Sequence, residues 1–178
     1  MKNGAKIKNL TFIALGTVLL AICSWISVAG ISMQIFGIYF LIYFWGGKKA
    51  FISTLVYLLI GALGVPVFAG FGGGIGWLFG PSGGYLFGFL AVVALHIAAE
   101  TIFTKKHRCW YVAFPLAFVA LTACYAVGAL SVYLYTDNSV YLSVFGGSFV
   151  IYGVFDTAKI LFAYYIAGHM RRIKAFSS

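Results

Sequence analysis

Residues 48–108 read KKAFISTLVYLLIGALGVPVFAGFGGGIGWLFGPSGGYLFGFLAVVALHIAAETIFTKKHR, and this stretch decides the fold. Fifty-five residues separate Lys49 from Lys105, and Glu100 is their single charged side chain. A membrane-crossing helix takes about 20 residues. The stretch is therefore too long for one crossing and suits two, joined by an uncharged turn. The rest of the chain repeats the arrangement. Basic clusters at Lys2/Lys6/Lys8, Lys48/Lys49, Lys105/Lys106/Arg108 and Arg171/Arg172/Lys174 bracket apolar stretches of 39, 55 and 62 residues. Each accommodates a pair of spans.

Composition agrees. The 178 residues are 63% hydrophobic and 8% charged, where soluble domains carry about 25% charged residues. A water-soluble domain is excluded, and so is an ATPase built into this chain. The net charge of +9 does not indicate nucleic acid, because the cations sit in short clusters between apolar runs. Such clusters report orientation in the bilayer. The expected architecture is an all-α integral membrane protein of six helices, spanning approximately 8–28, 31–45, 50–64, 84–104, 111–135 and 147–170, in one membrane domain. The basic connections all fall on one face. The positive-inside bias puts that face and both termini in the cytoplasm. Residues 1–9 then lead into a first span rather than a cleaved leader. Trp45, Trp110, Tyr111, Tyr135 and Tyr141 near span ends read as interfacial anchors.

Residues 61–88 hold eleven of the 22 glycines and two of the three prolines. Val65, Phe68, Phe71, Trp77 and Phe79 are interleaved with the glycines, so hydration does not favour this segment as a loop. Irregular backbone at membrane depth persists where protein buries it or a cavity adjoins it. The segment reads as an outer lid or re-entrant plug between the third and fourth helices. Residues 80–85, GPSGGY, then open the fourth helix. A helix N-terminus with free N–H groups can hold a carboxylate, which makes Ser82, Gly83, Gly84 and Tyr85 candidate ligand contacts.

Asp156 and Lys159 lie three apart in the last apolar stretch and share a helix face. Each charge costs about 2.5–3.5 kcal/mol at the bilayer centre. In a chain with three acidic residues, such a pair marks a polar ligand site facing the bundle interior, with a self-neutralised helix lock as the bland alternative. His96 and Glu100 are spaced four apart on the fourth span. Two ligands are too few for zinc, and Glu100 is placed to pair with Lys105 and Arg108. Cys23, Cys109 and Cys124 give neither a disulfide framework nor a metal pattern. No nucleophile–base pair for catalysis emerges, since no His accompanies Ser82 on the outer side. Gly16, Thr17 and Ala21 give the first span a small-residue face, suited to intrachain packing or to contact with another membrane subunit.

The run YLLIGALGVPVFAGFGGGIGWLFGPSGGYLFGF (57–89) resembles the signature of the BioY family, the biotin-binding S-components of energy-coupling factor transporters. Asp156-Thr157-Ala158-Lys159 matches that family's D-x-x-K in the last helix, and Met33-Gln34 resembles its T-L-Q segment opening the second helix. Two departures stand out. Ser82 replaces a usual Thr, and Ile31-Ser32 replace a proline-containing start to the second helix. The resemblance implies a non-enzymatic biotin-capture subunit in a bacterial cytoplasmic membrane. It brings Phe68 and Gln34 into the candidate ligand set beside Asp156, Lys159, Ser82, Gly83, Gly84 and Tyr85. It implies partnership with a transmembrane coupling subunit and two ATPases, dedicated, shared or absent in different members. This chain itself needs no cofactor, because ATP is hydrolysed by the partners. The alternative is a carrier of the same architecture for another vitamin, such as thiamine or a flavin.

Overall fold

A computed structural model describes residues 2–28, 31–103, 109–135, 146–147, 150 and 152–173. Among these, seven α-helices form: α1 (Lys2–Trp25), α2 (Gln34–Trp45), α3 (Gly47–Ala62), α4 (Ile75–Leu78), α5 (Gly83–Phe103), α6 (Trp110–Tyr135) and α7 (Gly153–Arg172). A minimal antiparallel pair, β1 (Ser27–Val28) and β2 (Ile31–Ser32), joins α1 to α2. The departure at Ile31-Ser32 is thus one strand of a tight hairpin.

Sequence decides the positions of the helices. α2, QIFGIYFLIYFW, is apolar on every side, and nine of its twelve residues are buried. A helix without a polar face belongs in the centre. Accordingly α2 packs against α1, α3, α5 and α7, and Tyr39 donates from it to the Ala117 carbonyl of α6 at 2.9 Å. Around it, α1 packs on α3, α3 on α5, and α5 on α6. The outside is apolar: Leu10, Leu59, Phe118, Leu134 and Val154 are all exposed, as lipid-facing side chains are.

α1 (from Lys6), α5 and α6 are long and apolar enough to cross a membrane. α2 and α3, with 12 and 16 residues, reach about 18 and 24 Å at about 1.5 Å per residue, against a hydrocarbon core near 30 Å. α7 has 20 residues but carries Asp156, Lys159, His169, Arg171 and Arg172. Its α-helical part is described from Gly153 to Arg172, and the boundary at 147 expected from hydropathy adjoins residues 148, 149 and 151, which lie outside the described residues. Asp156 therefore sits in the first turn of α7, where the helix dipole favours a carboxylate.

The small-residue face of α1 is used within the chain. Thr17 Oγ1 bonds the Ser53 carbonyl at 3.2 Å, and Gly16 lies directly against Ser53 and Trp45. Glu100 accepts from the Gly47 amide at 2.8 Å. It thereby fastens the end of α5 to the start of α3, an arrangement favoured by the α3 dipole. Its expected partners Lys105 and Arg108 lie outside the described residues, as do Asp137, Tyr141 and Lys174.

Candidate functional site

A cavity of about 560 Å³ opens among the hairpin, α2, the glycine-rich segment, α5, α6 and the start of α7. Its size falls in the range of about 300–1,000 Å³ typical of small-molecule sites. The walls are mostly apolar and aromatic. Phe68 and Trp77 come from the glycine-rich segment, Tyr85 and Phe89 from α5, and Ile35 from α2. The polar groups are few, and they cluster. Asp156 enters from α7, Tyr125 from α6, Gln34 from α2, and Ser27 and Ser32 from the hairpin.

Asp156, Tyr125, Ser32 and Gln34 are joined, with Lys159 and Tyr57, in one hydrogen-bonded chain. Tyr125 donates to Asp156 Oδ2 at 2.7 Å. Lys159 Nζ donates to Asp156 Oδ1 at 2.7 Å and to the Ser32 carbonyl at 2.7 Å. Ser32 Oγ donates to Gln34 Oε1 at 2.9 Å. Gln34 Nε2 donates to the Tyr57 hydroxyl at 2.7 Å, which donates to the Val67 carbonyl at 3.0 Å. The chain begins on α6 and ends in the glycine-rich segment. The Asp156 and Lys159 side chains are only 7% and 11% exposed, so the ion pair is held away from bulk solvent. Its electrostatics are correspondingly strong.

The donor inventory shows what remains for a ligand. A carboxylate offers about four acceptor sites, and two on Asp156 are taken. An ammonium has three donors, and two on Lys159 are taken. Among the described residues, the cavity thus presents unfilled acceptor sites at Asp156, with the Lys159 ammonium bonded behind it, and broad apolar walls. That set suits a compact ligand with paired N–H donors and an apolar ring.

The sequence-expected residues separate into two groups. Asp156, Gln34, Phe68, Ser82 and Tyr85 line the cavity. Lys159 stands behind Asp156, bonded to it. Gly83 and Gly84 are not among the lining residues. A side chain at Gly83 would run into the Leu78 carbonyl, and one at Gly84 into the Val127 carbonyl and Ser131 of α6. The amides expected to be free are partly engaged: Gly83 N–H bonds Gly80 O at 2.9 Å, and Tyr85 N–H bonds Ser82 O at 3.2 Å. In the structure these glycines let α5 sit close against α6 and against the preceding turn.

Phe68 is 1% exposed, with its ring against Gly61 and edge-on to Tyr57 at 5.5 Å. The rest of the glycine-rich segment is tied down around it. Trp25 Nε1 donates to the Pro66 carbonyl at 2.9 Å, and the Trp25 ring stacks on Phe71 at 5.2 Å. Phe71 adopts a φ of 59°, a strained value for a bulky residue. His96 is buried and bonds the Val92 carbonyl at 2.9 Å through Nδ1, with Tyr39 edge-on at 5.3 Å.

Sequence reasoning missed Tyr125, Tyr57 and Ser32. The two tyrosines are among twelve, and spacing does not separate a buried phenol from an interfacial one. Ser32 receives Lys159 through its carbonyl, which no side-chain pattern records, and its hydroxyl passes the chain on to Gln34.

Comparison with known proteins completes the picture. The chain is 33% identical over 163 residues to the biotin transporter BioY of Thermotoga maritima, covering 89% of this chain and 92% of that one. It is 36% identical over 99 residues to the biotin transporter BioY2 of Lactococcus lactis, covering 53% and 54% of the two chains. A crystal structure of the S-component for biotin from an ECF-type ABC transporter shares the fold, with a TM-score of 0.83 and 24% identity over 99% of this chain and 97% of that one. The BioY family profile matches residues 1–176, and the chain belongs to the BioY family.

Proposed function

We propose that this chain captures biotin at a membrane and hands it inward as the S-component of an energy-coupling factor transporter. The observation that carries this reading is the buried Asp156–Lys159 pair, braced by Tyr125 at the edge of an aromatic cavity. It is supported by the family membership and by what the Thermotoga maritima relative is named for. Biotin has a ureido group with two N–H donors and one carbonyl, on an apolar fused ring. The ureido N–H groups bond Asp156, the Lys159 ammonium donates to the ligand, and the ring lies among Phe68, Trp77, Tyr85 and Phe89. Gln34 and Ser82 complete the polar wall. Gly83 and Gly84 serve the site by setting how closely α5 approaches its neighbours.

In this reading α1, α2, α3, α5, α6 and α7 are the six spans, with the hairpin completing the short α2. The basic clusters and both termini face the cytoplasm. The glycine-rich segment is the outer lid, latched by Trp25 and plugged by Phe68. Energy comes from a transmembrane coupling subunit and two ATPases, and the chain performs no chemistry on its ligand.

The test is thermal melting of the detergent-purified protein against a vitamin panel. A ligand at 100 times its Kd adds about 2.7 kcal/mol. Biotin should raise the melting temperature, while thiamine and riboflavin should not. Asp156→Ala should lose a factor of tens to thousands in affinity, the roughly 2–5 kcal/mol of an uncompensated buried charge contact. A shift with thiamine or riboflavin and none with biotin would reassign the ligand. Full biotin affinity in Asp156→Ala would remove the pair from the site.

A further inference from the structure

A buried hydroxyl lies beside the polar chain without joining it. Ser24, in the last turn of α1, is 0% exposed, and among the described residues its Oγ has no hydrogen-bond partner. Serine and threonine inside a helix often return the hydroxyl to the carbonyl four residues back. Thr17 of α1 and Thr54 of α3 do so, at 3.0 and 2.8 Å. Ser24 does not. An unmet buried hydroxyl is costly, and alanine would fill nearly the same space without that cost. The hydroxyl beside it belongs to Tyr57 of α3, which Ser24 adjoins without reaching bonding geometry.

Tyr57 is a junction of the polar chain. It is buried, and its hydroxyl accepts from Gln34 Nε2 at 2.7 Å and gives its hydrogen to the Val67 carbonyl at 3.0 Å. A phenol has one donor. While Val67 holds that hydrogen, Ser24 goes without. Were the glycine-rich segment to move outward, the Val67 carbonyl would reach water, but the Tyr57 hydrogen would stay buried and need a new acceptor. Ser24 Oγ stands beside it, and one bond would satisfy both groups. The neighbouring residue acts the other way. Trp25 Nε1 donates to the Pro66 carbonyl at 2.9 Å and holds the segment in place.

We infer that Ser24 is the alternate acceptor of the Tyr57 hydroxyl, engaged when the glycine-rich segment lifts from the cavity. Ser24 has this role only if that segment is the outer lid, the reading proposed for it. Opening then exchanges one hydrogen bond for another and strands no buried donor. Without Ser24, opening leaves the Tyr57 hydrogen unmet and becomes about ten-fold rarer. Ser24 does not line the cavity. It sets how readily the lid opens, and so how fast a ligand enters and leaves, without touching the ligand.

The test is amide hydrogen exchange of the full chain in detergent, read over residues 65–71, because exchange reports local opening. The release rate of labelled biotin is measured beside it. Wild type, Ser24→Ala, Tyr57→Phe and the double variant are compared with and without biotin. Ser24→Ala should melt no lower than the wild type. Without biotin it should exchange about ten-fold more slowly in this segment, and it should release biotin more slowly by a similar factor. Tyr57→Phe removes the hydrogen that both positions share, so adding Ser24→Ala to it should change neither rate. Wild-type exchange in Ser24→Ala, with biotin still slowing exchange in both proteins, would overturn the role of Ser24 and leave the lid standing. Slowing that persists in the Tyr57→Phe background would show a route that bypasses the hydroxyl and would overturn it too. A lower melting temperature in Ser24→Ala would mean that the hydroxyl is already bonded with the segment in place, with the same consequence. Biotin that raises the wild-type melting temperature yet leaves exchange over residues 65–71 unchanged would remove the lid, and the role of Ser24 with it.

Discussion

Lys159→Met should destabilise the wild-type protein yet stabilise a variant that already carries Asp156→Leu. In the wild type, Lys159 Nζ bonds both Asp156 Oδ1 and the Ser32 carbonyl at 2.7 Å, and Asp156 is 5% exposed. Removing one partner of a buried pair costs about 3–5 kcal/mol, because the other charge is stranded. The two single changes are unequal. After Lys159→Met, the carboxylate keeps the Tyr125 hydroxyl and the favourable first-turn position on α7. After Asp156→Leu, an ammonium is left near the positive end of that helix, which adds about 0.3–1 kcal/mol of cost. The double variant strands no charge. It loses the partners of the Ser32 carbonyl and the Tyr125 hydroxyl, about 1–3 kcal/mol for each unmet group. Independent changes would sum to about 6–10 kcal/mol, whereas the coupled pair should fall at least about 2 kcal/mol short of that. For a chain of this length that is a difference of about 4–8 °C in melting temperature. Thermal melts of the wild type, both singles and the double measure it, with and without biotin. Equal losses from Lys159→Met in both backgrounds would refute the coupling. A biotin-dependent shift that survives in the double variant would place the ligand elsewhere.

Gly84→Val should lower the melting temperature and biotin affinity together, because the new side chain meets the Val127 carbonyl and Ser131 of α6. Ser82→Thr keeps the hydroxyl and should change neither, as melting curves and a biotin titration would show; a Gly84→Val protein with normal stability but no binding would return that glycine to the ligand wall. Tyr57→Phe should leave the Val67 carbonyl and the Gln34 amide without their 3.0 and 2.7 Å partners, about 1–3 kcal/mol for each. Faster proteolysis within the glycine-rich segment would register that loss, and an unchanged cleavage pattern would show that the polar chain does not hold the segment.

Much of the architecture was legible because a bilayer imposes simple rules. Long apolar stretches punctuated by lysines leave few alternatives to paired helices, and α1, α5 and α6 follow the hydropathy to within a few residues at most ends. The short hairpin of Ser27–Val28 and Ile31–Ser32 was not legible, since two-residue strands carry no periodicity. In the site, Asp156 and Lys159 were conspicuous because isolated charges in an apolar run demand a partner, and their spacing of three supplied one. Tyr125 reaches Asp156 across 31 positions, a distance over which spacing says nothing. The glycines at 83 and 84 were read through the chemistry of a helix start. What they meet, the turn before α5 and the backbone of α6, exists only once the chain is packed.

That packing gives the glycine-rich segment two adjacent ties to the ligand site. The Val67 carbonyl ends the hydrogen-bonded chain that runs through Tyr57, Gln34, Ser32 and Lys159 to Asp156. The next residue, Phe68, places its ring in the cavity wall. One tie is polar and the other apolar, and they lie on consecutive residues, so the segment cannot shift at one without straining the other. A ligand that bonds Asp156 and rests on Phe68 engages both ends of this connection together. Removal of either tie should then loosen the segment without touching the ion pair itself. Phe71, with its strained φ, stacks on Trp25 and anchors the same segment three residues further on. A segment held by both ties resists displacement at either one alone. This follows from the order of residues 67 and 68 in the chain, and from nothing that either residue does alone.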